Sequence, residues 1–150
     1  MDNASKNILA IGLGLTLITF SNLIGHFAPP FSIFFTPVLL PLIIIGVNAQ
    51  LYKTNFALTV AYNFALLLFN DVFIRFYAGG TYDEEGKGWI FLFFAMAFII
   101  AFIMMIICAF ITKQSHSKLS KTKQAFRNVF VVIAFTTLTS VFYCYVNAEI

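Results

Sequence analysis

Apolar runs of about 20 residues, the length a helix needs to cross the hydrocarbon core of a bilayer, recur along this chain at 8–26, 31–52, 55–77, 89–112 and 126–146. Polar connections between them are short, which leaves no room for a separate soluble unit. The expected fold is therefore all-α, a polytopic membrane helix bundle of five transmembrane helices forming one integral membrane domain over 1–150.

Composition agrees with that reading. The chain is 61% hydrophobic and only 10% charged, whereas a soluble domain carries about a quarter charged residues. Its net charge of +3 is no nucleic-acid signature, because the basic residues gather in one connecting segment and not along a helical stripe. The 20 Phe and abundant Ile and Asn fit a low-GC genome, and the expected location is a bacterial inner membrane.

The first run is longer than the apolar core of a signal peptide and lacks a small-x-small cleavage site, so it is expected to be retained. On a helical wheel Ala10, Gly14, Ser21 and Gly25 share an arc of about 60°, a packing face of the small-xxx-small type. Pro29 and Pro30 should end this helix, since proline lacks the amide hydrogen and disfavours a helical residue before it. The second run contains Pro37 and Pro41, which predict a kink or an irregular start, with Asn48 on the same face; a re-entrant segment is the alternative. Thr54 or Asn55 can cap the third helix.

That third helix carries two polar edges. Thr59, Asn63, Asn70 and Tyr77 lie within about 40° of one another, while Asp71 and Arg75 point roughly 100° or more away. Gly79 and Gly80 supply a helix stop. The fourth helix has a small-residue seam at Ala97, Ala101 and Cys108, and the first and fourth helices are expected to pack through these seams. The fifth presents Thr137, Ser140 and Cys144 on one face.

Charge orients the bundle. Segments rich in Lys and Arg stay on the cytoplasmic side, which places the acid-free stretch 113–127 inside. Five crossings then put the N-terminus inside and both the loop 78–88 and the C-terminus outside. Lys6 and Lys53 fall inside with Lys113, Lys118, Lys121, Lys123 and Arg127, whereas Asp71, Asp83, Glu84, Glu85 and Glu149 fall outside. The same topology separates Cys108 from Cys144 across the bilayer, too far for a disulfide, and both read as small buried packing residues.

Motifs for catalysis are missing: the sequence has no His-Glu-x-x-His, Cys-x-x-Cys, Walker loop, Gly-x-Ser-x-Gly or Gly-x-Gly-x-x-Gly. Residues 83–86 do not alternate ligands as a calcium loop does, and the acids are expected on a flexible turn. His26 and His116 fall on opposite sides, which argues against haem ligation, so no cofactor and no metal are expected. Asp71 and Arg75 form a favourable i, i+4 pair, read either as an interfacial ion pair with Arg75 reaching toward the headgroups or as a functional intramembrane charge. Asn63 and Asn70 are either interhelical hydrogen-bonding groups or the wall of a polar path.

The residues to watch are thus Asn63, Asn70, Asp71, Arg75, Asp83, Glu84 and Glu85 for a partner or ligand, and Lys118, Lys121, Lys123 and Arg127 for lipid headgroups, where each basic residue adds about 1 kcal/mol of attraction. Tyr77, Tyr82 and Trp89 suit an aromatic belt. The leading functional reading is a non-enzymatic accessory or scaffold subunit of a larger membrane complex, with membrane lipids and other membrane subunits or further copies as partners and no nucleic acid. The alternatives are a small transporter or channel component using the polar face of the third helix, and a membrane enzyme acting on lipid headgroups at the extracytoplasmic surface.

Overall fold

The computed structural model describes residues 3–28, 39–40, 42–77, 84–113 and 119–149, with the backbone alone at 3, 84–87 and 146–149. Expectations at Pro29, Pro30, Pro37, Pro41, Gly79, Gly80, Tyr82, Asp83, His116 and Lys118 lie outside the described residues.

The architecture is an all-α bundle. Helix α1 spans Asn3–Phe27, a π-helix spans Ile43–Val47, α2 spans Ala49–Thr54, α3 Phe56–Phe76, α4 Glu84–Ile111 and α5 Lys121–Glu149. Among the described residues four helices, not five, are long and apolar enough to cross a membrane: Ala4–Phe27, Phe56–Phe76, Gly88–Ile111 and Lys121–Tyr145. The expected second crossing is not one unbroken α-helix. Its described part is α-helical at 39–40 and 42, continues as the π-helix and, after a break at Asn48 (φ −87°, ψ 2°), as a short α-helix. There the Asn48 amide reaches back five residues to the Ile43 carbonyl at 2.9 Å, the wide turn that defines a π-bulge.

Asn55 ends α2 and starts α3. Its backbone is extended (φ −148°, ψ 97°) and its side-chain oxygen accepts from the Leu58 amide, the usual N-cap geometry. Two other helices begin earlier than the apolar pattern indicates. Glu84 and Glu85 belong to the first turn of α4 and not to a flexible turn, a position where acidic groups complement the positive end of the helix dipole. Lys121 and Lys123 belong to α5 and not to a loop, in the same helix as Arg127.

Helices α1 and α3 run side by side in the same direction. Asn7 meets Thr54 at one end (3.4 Å), the Tyr62 hydroxyl donates to the Ile11 carbonyl (2.7 Å), and at the other end His26 Nδ1 donates to the Tyr77 carbonyl (2.7 Å). Two parallel neighbours require the chain between them to return lengthwise. Helix α3 is the hub, packed against α1, α2, α4 and α5. Its buried side chains Val60, Phe64, Leu66 and Leu67 meet Ile18, Ile43, Ile44, Met105 and Val132 in one core.

The small-residue faces are used, but with different partners from those expected. Ala10, Gly14, Ser21 and Gly25 are buried on α1, whose principal neighbours are α3, α2 and the π-helix. Ala97, Ala101 and Cys108 are buried on α4, which packs on α3, α5 and the π-helix. So α1 and α4 do not pair through their seams. On α5 the buried stripe is Gln124, Asn128, Val132, Thr139 and Tyr143, while Thr137 and Cys144 are exposed. The Thr137 hydroxyl bonds to the Ile133 carbonyl at 3.0 Å, which satisfies it within the helix and suits it to an outward position.

Candidate functional site

The two polar edges of α3 face two different neighbours. On the first edge Asn63 donates to the Tyr52 hydroxyl at 2.7 Å and accepts from the Asn48 amide. Two turns further along, Asn70 accepts from Asn22 Nδ2 at 2.9 Å, and the same amide reaches the Ile18 carbonyl at 2.9 Å. Asn22, Asn48 and Asn63 are each no more than 1% exposed. In an apolar surround such amides hold helices together because leaving them unpaired is costly.

The second edge turns toward α5. Asp71 accepts from Arg75 Nε at 2.8 Å through Oδ2. Arg75 Nη2 donates to the Tyr143 hydroxyl at 2.8 Å, and that hydroxyl donates to Asp71 Oδ1 at 3.3 Å. The three groups close a ring in which each charge is met by its opposite or by a hydroxyl. Arg75 therefore points inward, with a side chain only 16% exposed, and does not reach for the headgroups. An i, i+4 spacing brought the acid and base together; the fold brought Tyr143 to them from 68 residues away.

Tyr143 is held by its ring as well as its hydroxyl. It stacks on Phe94 of α4 with centroids 3.8 Å apart and planes 10° from parallel. Beside it, Phe91, Ala95, Phe98, Ser140 and Cys144 help line a cleft of about 140 Å³ between α4 and α5. Nothing in the sequence around Tyr143 distinguishes it from the other tyrosines; only its period with Val132 and Thr139 on α5 places it on the inner stripe.

The basic residues of interest that are described do not converge on this cluster. Lys121, Lys123 and Arg127 are exposed on the first two turns of α5, at the opposite end of the bundle, where α5 meets Thr54 and Asn55. Glu84 and Glu85 open α4. Among the described residues no group of three or more His, Cys, Asp or Glu side chains could hold a metal ion.

Comparison with known proteins finds no matching family model, no matching curated protein and no matching solved structure. Chemically, the Asp71, Arg75 and Tyr143 ring is a neutral clasp between α3 and α5: it offsets the desolvation of two charges by pairing them and adding a phenol. The apolar helices that surround it are those of a small integral membrane protein.

Proposed function

We propose that this protein is a non-enzymatic subunit of a larger assembly in the bacterial inner membrane, joined to a neighbouring transmembrane helix along the outward face of α1. The observation that carries this reading is Gly12. It is exposed, and a β-carbon there would meet nothing within 4 Å. One turn later Thr16 is also exposed, its hydroxyl folded back on the Gly12 carbonyl at 2.8 Å. Large side chains flank the notch, with Leu9 61% and Phe20 60% exposed. A small-xxx-small notch among bulky lipid-facing residues lets a second helix approach to backbone distance. The Asn63 and Asn70 amides, on which a transport path would depend, are engaged with Asn48, Tyr52 and Asn22.

The N-terminus and the basic end of the bundle lie in the cytoplasm in this reading. Lys6, Lys53, Lys121, Lys123 and Arg127 gather at the end where Asn7 meets Thr54, and cytoplasmic ends collect Lys and Arg.

Co-purification from native membranes in mild detergent tests the assembly. A larger complex is expected for the natural chain, and Gly12→Leu should abolish it while leaving the melting of the isolated subunit unchanged, because the space beside Gly12 is open. Recovery of both chains only as monomers would sink the reading. Orientation is checked in a Cys144→Ser background, where an impermeant maleimide applied to intact cells should label Gly88→Cys and spare Lys121→Cys.

A further inference from the structure

At the basic end of the bundle a cleft of about 360 Å³ opens between the start of α3 and the start of α5, lined by Thr54, Asn55, Phe56, Ala57, Arg127, Asn128 and Val131. Three independent features of this cleft have the same sign. The first is the N-terminus of a 21-residue helix: Asn55 caps the Leu58 amide, and the Phe56 and Ala57 amides precede the helical ladder, where backbone N–H groups and the helix dipole favour an anion. The second is Asn128. It is 1% exposed, lines the cleft, and its Nδ2 finds no hydrogen-bond partner among the described residues. One turn earlier on the same face, buried Gln124 also has an Nε2 without a partner among the described residues. Buried donors are normally paired, so an unpartnered one on a residue that lines a cleft calls for an acceptor in that cleft. The third is Arg127, which lines the cleft, with Lys53 and Lys123 exposed nearby in sequence.

We propose that this cleft binds a phosphate group, its oxygens accepting from the Phe56 and Ala57 amides, Asn128 Nδ2 and Arg127. The proposal does not depend on the assembly reading, since Gly12 is on another face and Gly12→Leu should leave phosphate binding intact. Two sources share this chemistry, the headgroup of an anionic phospholipid and a soluble phosphate.

The test uses the full chain in neutral detergent, titrated with phosphatidylglycerol, with phosphatidylcholine and with inorganic phosphate, and read by native mass spectrometry. One saturable site is expected, weakened about tenfold by Asn128→Leu and by Arg127→Gln, as loss of a charge-assisted bond predicts, and changed less than about twofold by the exposed Lys123→Gln. Because Asn128 is buried and Arg127 is exposed, Arg127→Gln serves as the variant that leaves the buried core unchanged. Retention of phosphatidylglycerol with that pattern identifies the source as a lipid headgroup; binding of inorganic phosphate with the same pattern identifies it as a soluble phosphate. Either result supports the site. If Lys123→Gln weakens binding as much as Arg127→Gln and Asn128→Leu has no effect, the attraction is diffuse surface charge and the proposal falls. It falls equally if neither phosphatidylglycerol nor inorganic phosphate is retained.

Discussion

A β-carbon at Gly14 would lie 2.6 Å from the Tyr62 hydroxyl oxygen, closer than any van der Waals contact allows. The same hydroxyl donates to the Ile11 carbonyl at 2.7 Å, so Tyr62 lies across α1 in the space that the missing side chain leaves. A residue without a side chain is what lets the phenol of α3 reach the backbone of α1.

Gly14→Ala should therefore loosen the α1–α3 contact by about 1–3 kcal/mol, the usual cost of overpacking. The companion Tyr62→Phe removes one hydrogen bond and should cost less, about 0.6 kcal/mol on the scale of membrane double-mutant cycles. Combining them should recover part of the Gly14→Ala loss, because the clashing oxygen is gone. Unfolding in mixed micelles measures all three, and a double variant no more stable than Gly14→Ala would refute this account of the contact.

Asn63 holds two partners at once, so its loss leaves the Asn48 side-chain amide without its acceptor and takes a donor from the Tyr52 hydroxyl. Asn63→Leu is expected to destabilise the bundle by about 1–2 kcal/mol and to release the second segment, making the region around Asn48 and Tyr52 exchange its amides faster. Hydrogen exchange read by mass spectrometry distinguishes this from a uniform loss. Unchanged exchange at residues 43–54 would show that Asn48 does not depend on Asn63.

For the ring of Asp71, Arg75 and Tyr143 the expected order of damage is specific. Asp71→Asn and Arg75→Gln each leave a charge without its opposite and should cost roughly 2–4 kcal/mol, somewhat below the fully buried case. Tyr143→Phe keeps the stack on Phe94 and removes only hydroxyl bonds, for about 1 kcal/mol. Replacing both charges together, Asp71→Leu with Arg75→Leu, should cost less than either single change. Chemical unfolding of the four variants gives the order, and a double variant worse than the sum of the two singles would overturn the clasp.

Much of the bundle is legible in the amino-acid sequence. The apolar runs mark the membrane-spanning parts of all four long helices, the cap at Asn55 follows from its residue type, and the Asp71–Arg75 pair follows from a spacing of four. The helix starts at Glu84 and Lys121 are not legible in the same way, because a charged first turn outside the membrane carries no hydropathy signal. Proline is the residue type that points to irregularity in the second run, yet the break at Asn48 is a π-turn, which no residue type encodes strongly.

What the sequence by itself determined is the solvent and the secondary structure: a chain this apolar belongs in lipid, and runs long enough to span it must satisfy their backbones as helices. It also placed two polar edges on α3. Tertiary structure alone decided which neighbour each edge meets, with Asn22, Asn48 and Tyr52 on one side and Tyr143 on the other, and which stripe of α5 is buried. The physical reason is that lipid is as apolar as a helix interior, so hydrophobicity does not mark the inward face of a membrane helix. Steric fit and hydrogen-bond pairing choose that face, and both depend on residues distant in the chain.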